Sequence, residues 1–207
     1  ARLRRSGRVV GTVHDKSGSP LENVRVRLAR SKEEDDGEWR QQMWRIDYLG
    51  PTALTAEDGS YEIPVLRAAE SVRVVAQSES HLPGRSEVVT LEDPSSEVDD
   101  IDLSLLEAAK VVGTVTDSSD LPLGGAEVRV QVVEDENASQ GRRRRGRERW
   151  RGVRASGETD GLGRFELVGL DTGSYQLTVR AAGHLKYVSD AFDIALGNQK
   201  NFDVALE

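Results

Sequence analysis

No cysteine occurs in these 207 residues. Disulfides and thiolate metal sites are therefore excluded, although that absence does not fix the compartment. There are only three histidines, none close to another, whereas a histidine metal site needs converging ligands; no metal is expected. No apolar run approaches the length of a membrane span, so no membrane insertion is expected. Positive charge is in deficit: 28 Lys and Arg against 36 Asp and Glu leave a net charge of −8. A chain with that balance is a poor nucleic-acid binder, and no nucleic-acid partner is expected. Ala1 opens no recognisable signal peptide; the start is a mature or trimmed terminus, or the protein is not exported. No nucleophile elbow, phosphate loop or dinucleotide fingerprint is present. The expectation is a protein without catalytic residues or cofactor.

What is present is a repeat. Val9-Val10-Gly11-Thr12-Val13-His14-Asp15 returns as Val111-Val112-Gly113-Thr114-Val115-Thr116-Asp117. Two domains, 1–107 and 108–207, fit the length. The strand after the repeated segment alternates apolar and charged residues. A period of two puts Val24, Val26 and Leu28 on one face, and Val128, Val130 and Val132 on the matching face. One buried and one wet face is the reading for an antiparallel sheet of a sandwich. Ile101, Leu103 and Leu105 match Phe202, Val204 and Leu206. Tyr61 and Ile63 match Phe165 and Leu167, each pair after a glycine turn. Val72, Val74 and Ala76 match Tyr175, Leu177 and Val179. Short strands punctuated by Gly, Pro, Asp and Ser indicate all-β sandwiches, and no convincing helix is found. Residues 105–110 read as strand continuing into the junction. The short junction predicts a semi-rigid, rod-like pair.

The pattern Gly-x-Val-x-Asp-x-x-Gly-x-Pro-Leu-x-x-Val-x-Val resembles the carboxypeptidase regulatory-like family. It stands first as Gly11, Val13, Asp15, Gly18, Pro20, Leu21, Val24 and Val26. It stands again as Gly113, Val115, Asp117, Pro122, Leu123, Ala126 and Val128, with Asp120 in place of the first turn glycine. A later stretch reads Thr159, Gly163, Phe165, Gly173, Tyr175, Leu177, Ala181 and Gly183. The first repeat keeps Thr55, Gly59 and Tyr61 of it. The resemblance implies two tandem seven-stranded, transthyretin-like (Ig-like) Greek-key β-sandwiches. It also implies non-catalytic modules found in exported, cell-surface or periplasmic proteins. Related hydroxyisourate hydrolases end in Tyr-Arg-Gly-Ser; this chain reads Val204-Ala205-Leu206-Glu207 there, so that activity is not expected. Pilin relatives form Lys–Asn isopeptides beside a buried acid. Lys110 and Asn201 are the conceivable pair, but Val179 stands where the acid belongs.

Each repeat carries an insertion after its second strand, at 31–52 and at 134–156. Such long connections are functional or disordered as a rule. Loop one opens Glu33-Glu34-Asp35-Asp36. Loop two holds Arg142, Arg143, Arg144 and Arg145, then Arg147, Arg149 and Arg151. The plain reading of the arginine run is a solvated, mutually repelling segment. Capture of a polyanion by guanidinium forks is a second reading. Contact with an acidic protein segment, including the acidic loop of a second copy, is a third. All three tryptophans, Trp39, Trp44 and Trp150, fall in these loops. They pack over the sandwich, anchor an interface, or stack on a sugar. Residues 41–48 have enough β-formers for an added strand. The contact surface expected is therefore Trp39, Trp44, Arg142–Arg145, Trp150 and Arg151. The function expected is a structural, adhesive or protein-binding module of an extracytoplasmic protein. A glycan- or polyanion-binding accessory module and a self-assembling surface subunit are the alternatives. His14 sits in a strand, and His81 and His184 in equivalent turns. Asp15 and Asp117 end the first strands, and Asp93, Glu97, Asp99 and Asp100 approach a last strand. Turns and solvated edges, not calcium, are their expected roles.

Overall fold

The structure, a computed structural model, describes residues 7–31, 46–65, 69–93, 95, 97–133 and 153–207. It consists of two compact units, Ala1–Glu107 and Ala108–Glu207, and among the described residues every regular element is a β-strand.

Unit 1 contains β1 (Gly7–Asp15), β2 (Arg25–Arg30), β3 (Tyr48–Leu54), β4 (Ser60–Val65) and β5 (Ala69–Gln77). Short pieces follow: β6 (Gly84–Arg85), β7 (Val89–Leu91), β8 (Glu97–Val98) and β9 (Leu103–Leu105). One sheet runs β4-β1-β8, with β9 also on β1; the other runs β3-β2-β5-β6, with β7 also on β5. Unit 2 repeats this with β10 (Ala109–Asp117), β11 (Glu127–Val132), β12 (Val153–Glu158), β13 (Arg164–Leu170), β14 (Gly173–Arg180), β15 (Tyr187–Val188), β16 (Phe192–Ile194) and β17 (Gln199–Leu206). Its sheets are β13-β10-β17 and β12-β11-β14-β15, with β16 also on β14. Counting each interrupted edge as one strand, the described residues of each unit form a seven-stranded Greek-key sandwich.

The alternation in the sequence becomes the core. Val24, Val26 and Leu28 are buried with Val72, Val74, Ala76, Tyr61 and Ile63 in one cluster. Val128, Val130, Phe165, Leu167, Tyr175, Leu177 and Val179 form the other. Burying each of the valine, leucine, isoleucine and phenylalanine side chains contributes about 1.5–3 kcal/mol. The first and last strands pair in parallel, β1 with β9 and β10 with β17, which makes each smaller sheet mixed. The larger sheets are antiparallel throughout.

The expected loop boundaries need correction. Tyr48–Leu54 and Val153–Glu158 are edge strands, so the insertions at 31–52 and 134–156 end earlier than their composition indicates. In β3 the cause is Gly50-Pro51 in the middle of the strand. Proline cannot donate to a ladder and is confined to edges and bulges. Here Gly50 takes a φ of 75° and the register jumps between Val26 and Leu28. The β-forming stretch at 41–48 lies, except for residues 46–48, outside the described residues. The junction is also less regular than expected: Glu107 makes an isolated bridge to His81, and β10 begins at Ala109.

Candidate functional site

The motif residues gather at the turns, in the same chemistry twice. Asp15 Oδ1 accepts from the N–H groups of Ser17 (2.8 Å) and Ser19 (2.9 Å) and from the Ser17 hydroxyl. Asp117 Oδ1 accepts from the N–H groups of Ser119 (2.8 Å) and Leu121 (3.0 Å). The Ser17 hydroxyl, then the Ser19 N–H, hold the Asp15 carboxyl below the usual carboxylate range. Gly18 has a φ of 88° and its counterpart Asp120 a φ of 60°, so the substitution keeps the left-handed turn. Aspartate tolerates that region better than most residues.

Thr55 and Thr159 are buried, and each ties two chain segments. Thr55 Oγ1 donates to Leu21 O (2.5 Å) and accepts from Val24 N–H (2.9 Å). Thr159 Oγ1 donates to Leu123 O (2.6 Å) and accepts from Ala126 N–H (2.9 Å). A third pair was not legible as a motif. Ser86 Oγ accepts from Val74 N–H and donates to Glu87 O; Ser189 Oγ accepts from Leu177 N–H and donates to Asp190 O. Their shared spacing from His81-Leu82 and His184-Leu185 was the available signal.

The carboxypeptidase regulatory-like domain profile matches residues 8–104 and again 110–207. The chain belongs to that family. No curated protein matches the chain. Among solved structures it is similar to the TIE protein of Bacillus anthracis, with 14% identity and a TM-score of 0.34 over 98% of this chain. It is similar to a streptococcal ancillary pilin, with 18% identity, a TM-score of 0.41 and 98% of this chain covered. A minor pilin of Streptococcus agalactiae gives 15% identity and a TM-score of 0.40, over 97% of this chain and 95% of that one. The chain spans 34% of the first of these and 62% of the second.

In both regulatory-like units the shared motif residues thus serve the backbone of their own sandwich. The histidines stand apart. His14 Nδ1 lies 2.9 Å from Asp15 O, and His81 Nδ1 lies 3.0 Å from Ser80 Oγ. His184 is in a turn whose N–H donates to Ala181 O. Among the described residues no group of three His, Cys, Asp or Glu side chains could hold a metal. Lys110 and Asn201 are both on the outer, wet phase of their strands. Lys110 Nζ lies 3.2 Å from Glu166 Oε1, and Asn201 Oδ1 accepts from Gln199 Nε2 at 2.7 Å. With Val179 buried in the core, the surroundings of an isopeptide are not assembled there.

Every residue expected on the contact surface, Trp39, Trp44, Arg142–Arg145, Trp150 and Arg151, lies outside the described residues. The strands that carry the insertions are described. In unit 1, Arg30 N–H donates to Asp47 O (2.9 Å) and its Nε pairs with Asp47 Oδ2 (3.3 Å), joining the two feet. Beside them on the outer face, the Arg27 guanidinium lies 3.8 Å from the Tyr48 ring centroid and donates to Gln77 Oε1 (2.6 Å). Burial pushes the Tyr48 hydroxyl up, and Arg27 opposes that shift. The corresponding Arg129 pairs instead with Glu127 on its own strand. The stacked Arg27–Tyr48 pair was missed because the two residues lie on either side of the insertion and meet only through the β2–β3 ladder.

Proposed function

We propose that the chain is a non-enzymatic tandem module of an exported or cell-surface protein, working through protein contact. One observation carries this reading. The motif residues common to both units, Asp15 and Asp117, Thr55 and Thr159, spend their polar atoms on turns of their own unit. Side chains committed to backbone groups leave recognition to what each module adds outside its sandwich. The additions that differ most between the units are the insertions, acidic with Trp39 and Trp44 in one and arginine-rich with Trp150 in the other. Tryptophan and arginine are the residues most often found as interface anchors.

In this reading Arg142–Arg145, Trp150 and Arg151 grip an acidic protein surface, with Trp39 and Trp44 as apolar anchors. The test is a pull-down with the 142–151 segment intact and with it replaced by a neutral linker. Loss of the captured partners, together with binding that weakens as salt is raised, is the expected result. Unchanged partners would remove the segment from the contact surface. Retention on heparin with no protein captured would favour the polyanion-binding alternative.

A further inference from the structure

Among the described residues the strand β17 leaves a long, regular sheet edge unpaired, which β8 and β9 do not. It is 8 residues long and pairs with β10 in unbroken parallel register from Gln199 to Leu206. The ladder starts with Lys110 N–H donating to Asn198 O, and in a parallel pair alternate residues of one strand make the bonds. The even-numbered residues of β17 therefore face β10. The N–H and C=O groups of Gln199, Asn201, Asp203 and Ala205 face the other way, where no described strand takes them. The side chains of these four residues are exposed. Such an edge is a template for strand addition unless it is short, bulged or charged. The first unit's edge is all three: it is split into β8 and β9, and Asp99 and Asp100 stand at the split.

We propose that β17 pairs antiparallel with β17 of a second copy of this chain, about a two-fold axis at Phe202. The sequence of the strand is complementary to itself in that register. Asn201 faces the second copy's Asp203, and Gln199 faces its Ala205, so all four outward residues exchange both backbone bonds. No like charges stand directly opposite, and the two Asp203 carboxylates are diagonal neighbours, each facing an Asn201. Lys200 faces Val204, and Phe202, half-buried and 5.0 Å edge-on to Phe192, meets its own copy. The pairing joins two three-stranded sheets into one. It is independent of the arginine- and tryptophan-rich insertions.

The test is sedimentation equilibrium of the whole chain over a wide concentration range. A reversible dimer is expected. Asn201→Asp sets a carboxylate against Asp203 twice and weakens the dimer by about tenfold, whereas Asn201→Lys strengthens it to a similar degree. Ala205→Pro removes an outward N–H without touching the β10 ladder and also weakens it. The register has its own reading because the chain lacks cysteine. Phe202→Cys cross-links on oxidation, and Lys200→Cys does not. A monomer at every concentration would overturn the proposal. So would a dimer that responds identically to Asn201→Asp and Asn201→Lys.

Discussion

In unit 1 the last strand leaves β1 after Val98 and rejoins it at Leu103; in unit 2 the last strand never leaves β10. Four steps along β1, Val9 to Val13, are matched by five along the partner, Val98 to Leu103. One extra residue is accommodated, and Asp100 absorbs it with a φ of 61°. The Asp102 carboxylate then accepts from Thr12 N–H (2.8 Å) and from the Thr12 hydroxyl (2.7 Å). Its counterpart Asp203 accepts only from the Thr114 hydroxyl (2.7 Å) among the described contacts. A second difference lies opposite the bulge. Tyr61 O–H donates to Ile101 O (2.6 Å), and unit 2 has Phe165 there. The two sandwiches have similar cores and turn chemistry, but unit 1 holds its last strand with more side-chain bonds than the single Thr114–Asp203 bond described in unit 2. A bulged strand loses ladder bonds and needs such substitutes; a regular strand does not.

The largest expected effect tests whether the units are separate. A Cβ on Gly11 would lie 2.0 Å from Ile101 O, and one on Gly113 would lie 1.8 Å from Phe202 O. Both obstacles are backbone of the last strand and cannot swing aside. Gly11→Ala and Gly113→Ala should each destabilise one sandwich by about 3 kcal/mol or more. Calorimetry should show one transition lowered and the other unmoved; two transitions falling together would break the comparison.

Tyr61→Phe gives unit 1 the side chain found in unit 2. It leaves Ile101 O without its hydroxyl donor and should cost about 1 kcal/mol. Burial, and secondarily the Asp102 carboxylate, push the Tyr61 hydroxyl well up. The unfolded tyrosine ionises near about 10. The folded state resists that ionisation, so this contribution is intact below the unfolded value and is lost as pH rises above it. Melting of unit 1 against alkaline pH should therefore flatten in Tyr61→Phe, and an unchanged slope would count against the buried hydroxyl.

The smallest effect is expected from Asp102→Asn. The Thr12 hydroxyl and then its N–H hold the Asp102 carboxyl below the usual range. A lowered carboxylate stabilises above the unfolded value of about 3.9 and loses that contribution as pH falls through the folded one. Asn keeps an acceptor but not the charge, so the loss at neutral pH should be about 0.5 kcal/mol after solvent screening. Acid titration of unit 1 should become shallower. An equal change in unit 2 would show that the bulge is not what the carboxylate serves.

The strands that were legible are those with one dry face. Val24-Val26-Leu28 and Val128-Val130 alternate because they are central strands with core below and water above. β3 and β12 were not legible. Edge strands bury less, and Gly50-Pro51 reads as a break when taken alone. The turn residues Asp15, Thr55 and Gly59 were visible as a family pattern, but their hydrogen-bond partners were not. The expected contact residues, Trp39 and Arg142 among them, rest on composition, because their segments have no period to read. Arg27 and Tyr48 escaped for a different reason: their stacking depends on a bulged register that spans an insertion.

The sequence alone determined that the chain holds two similar all-β sandwiches of one family, because side-chain alternation in the central strands and the turn residues between strands are local signals. Tertiary structure alone decided which last strand is bulged and which presents an open edge. One inserted residue carries no signature of its own, and its consequence exists only in the register against a strand far away in the chain.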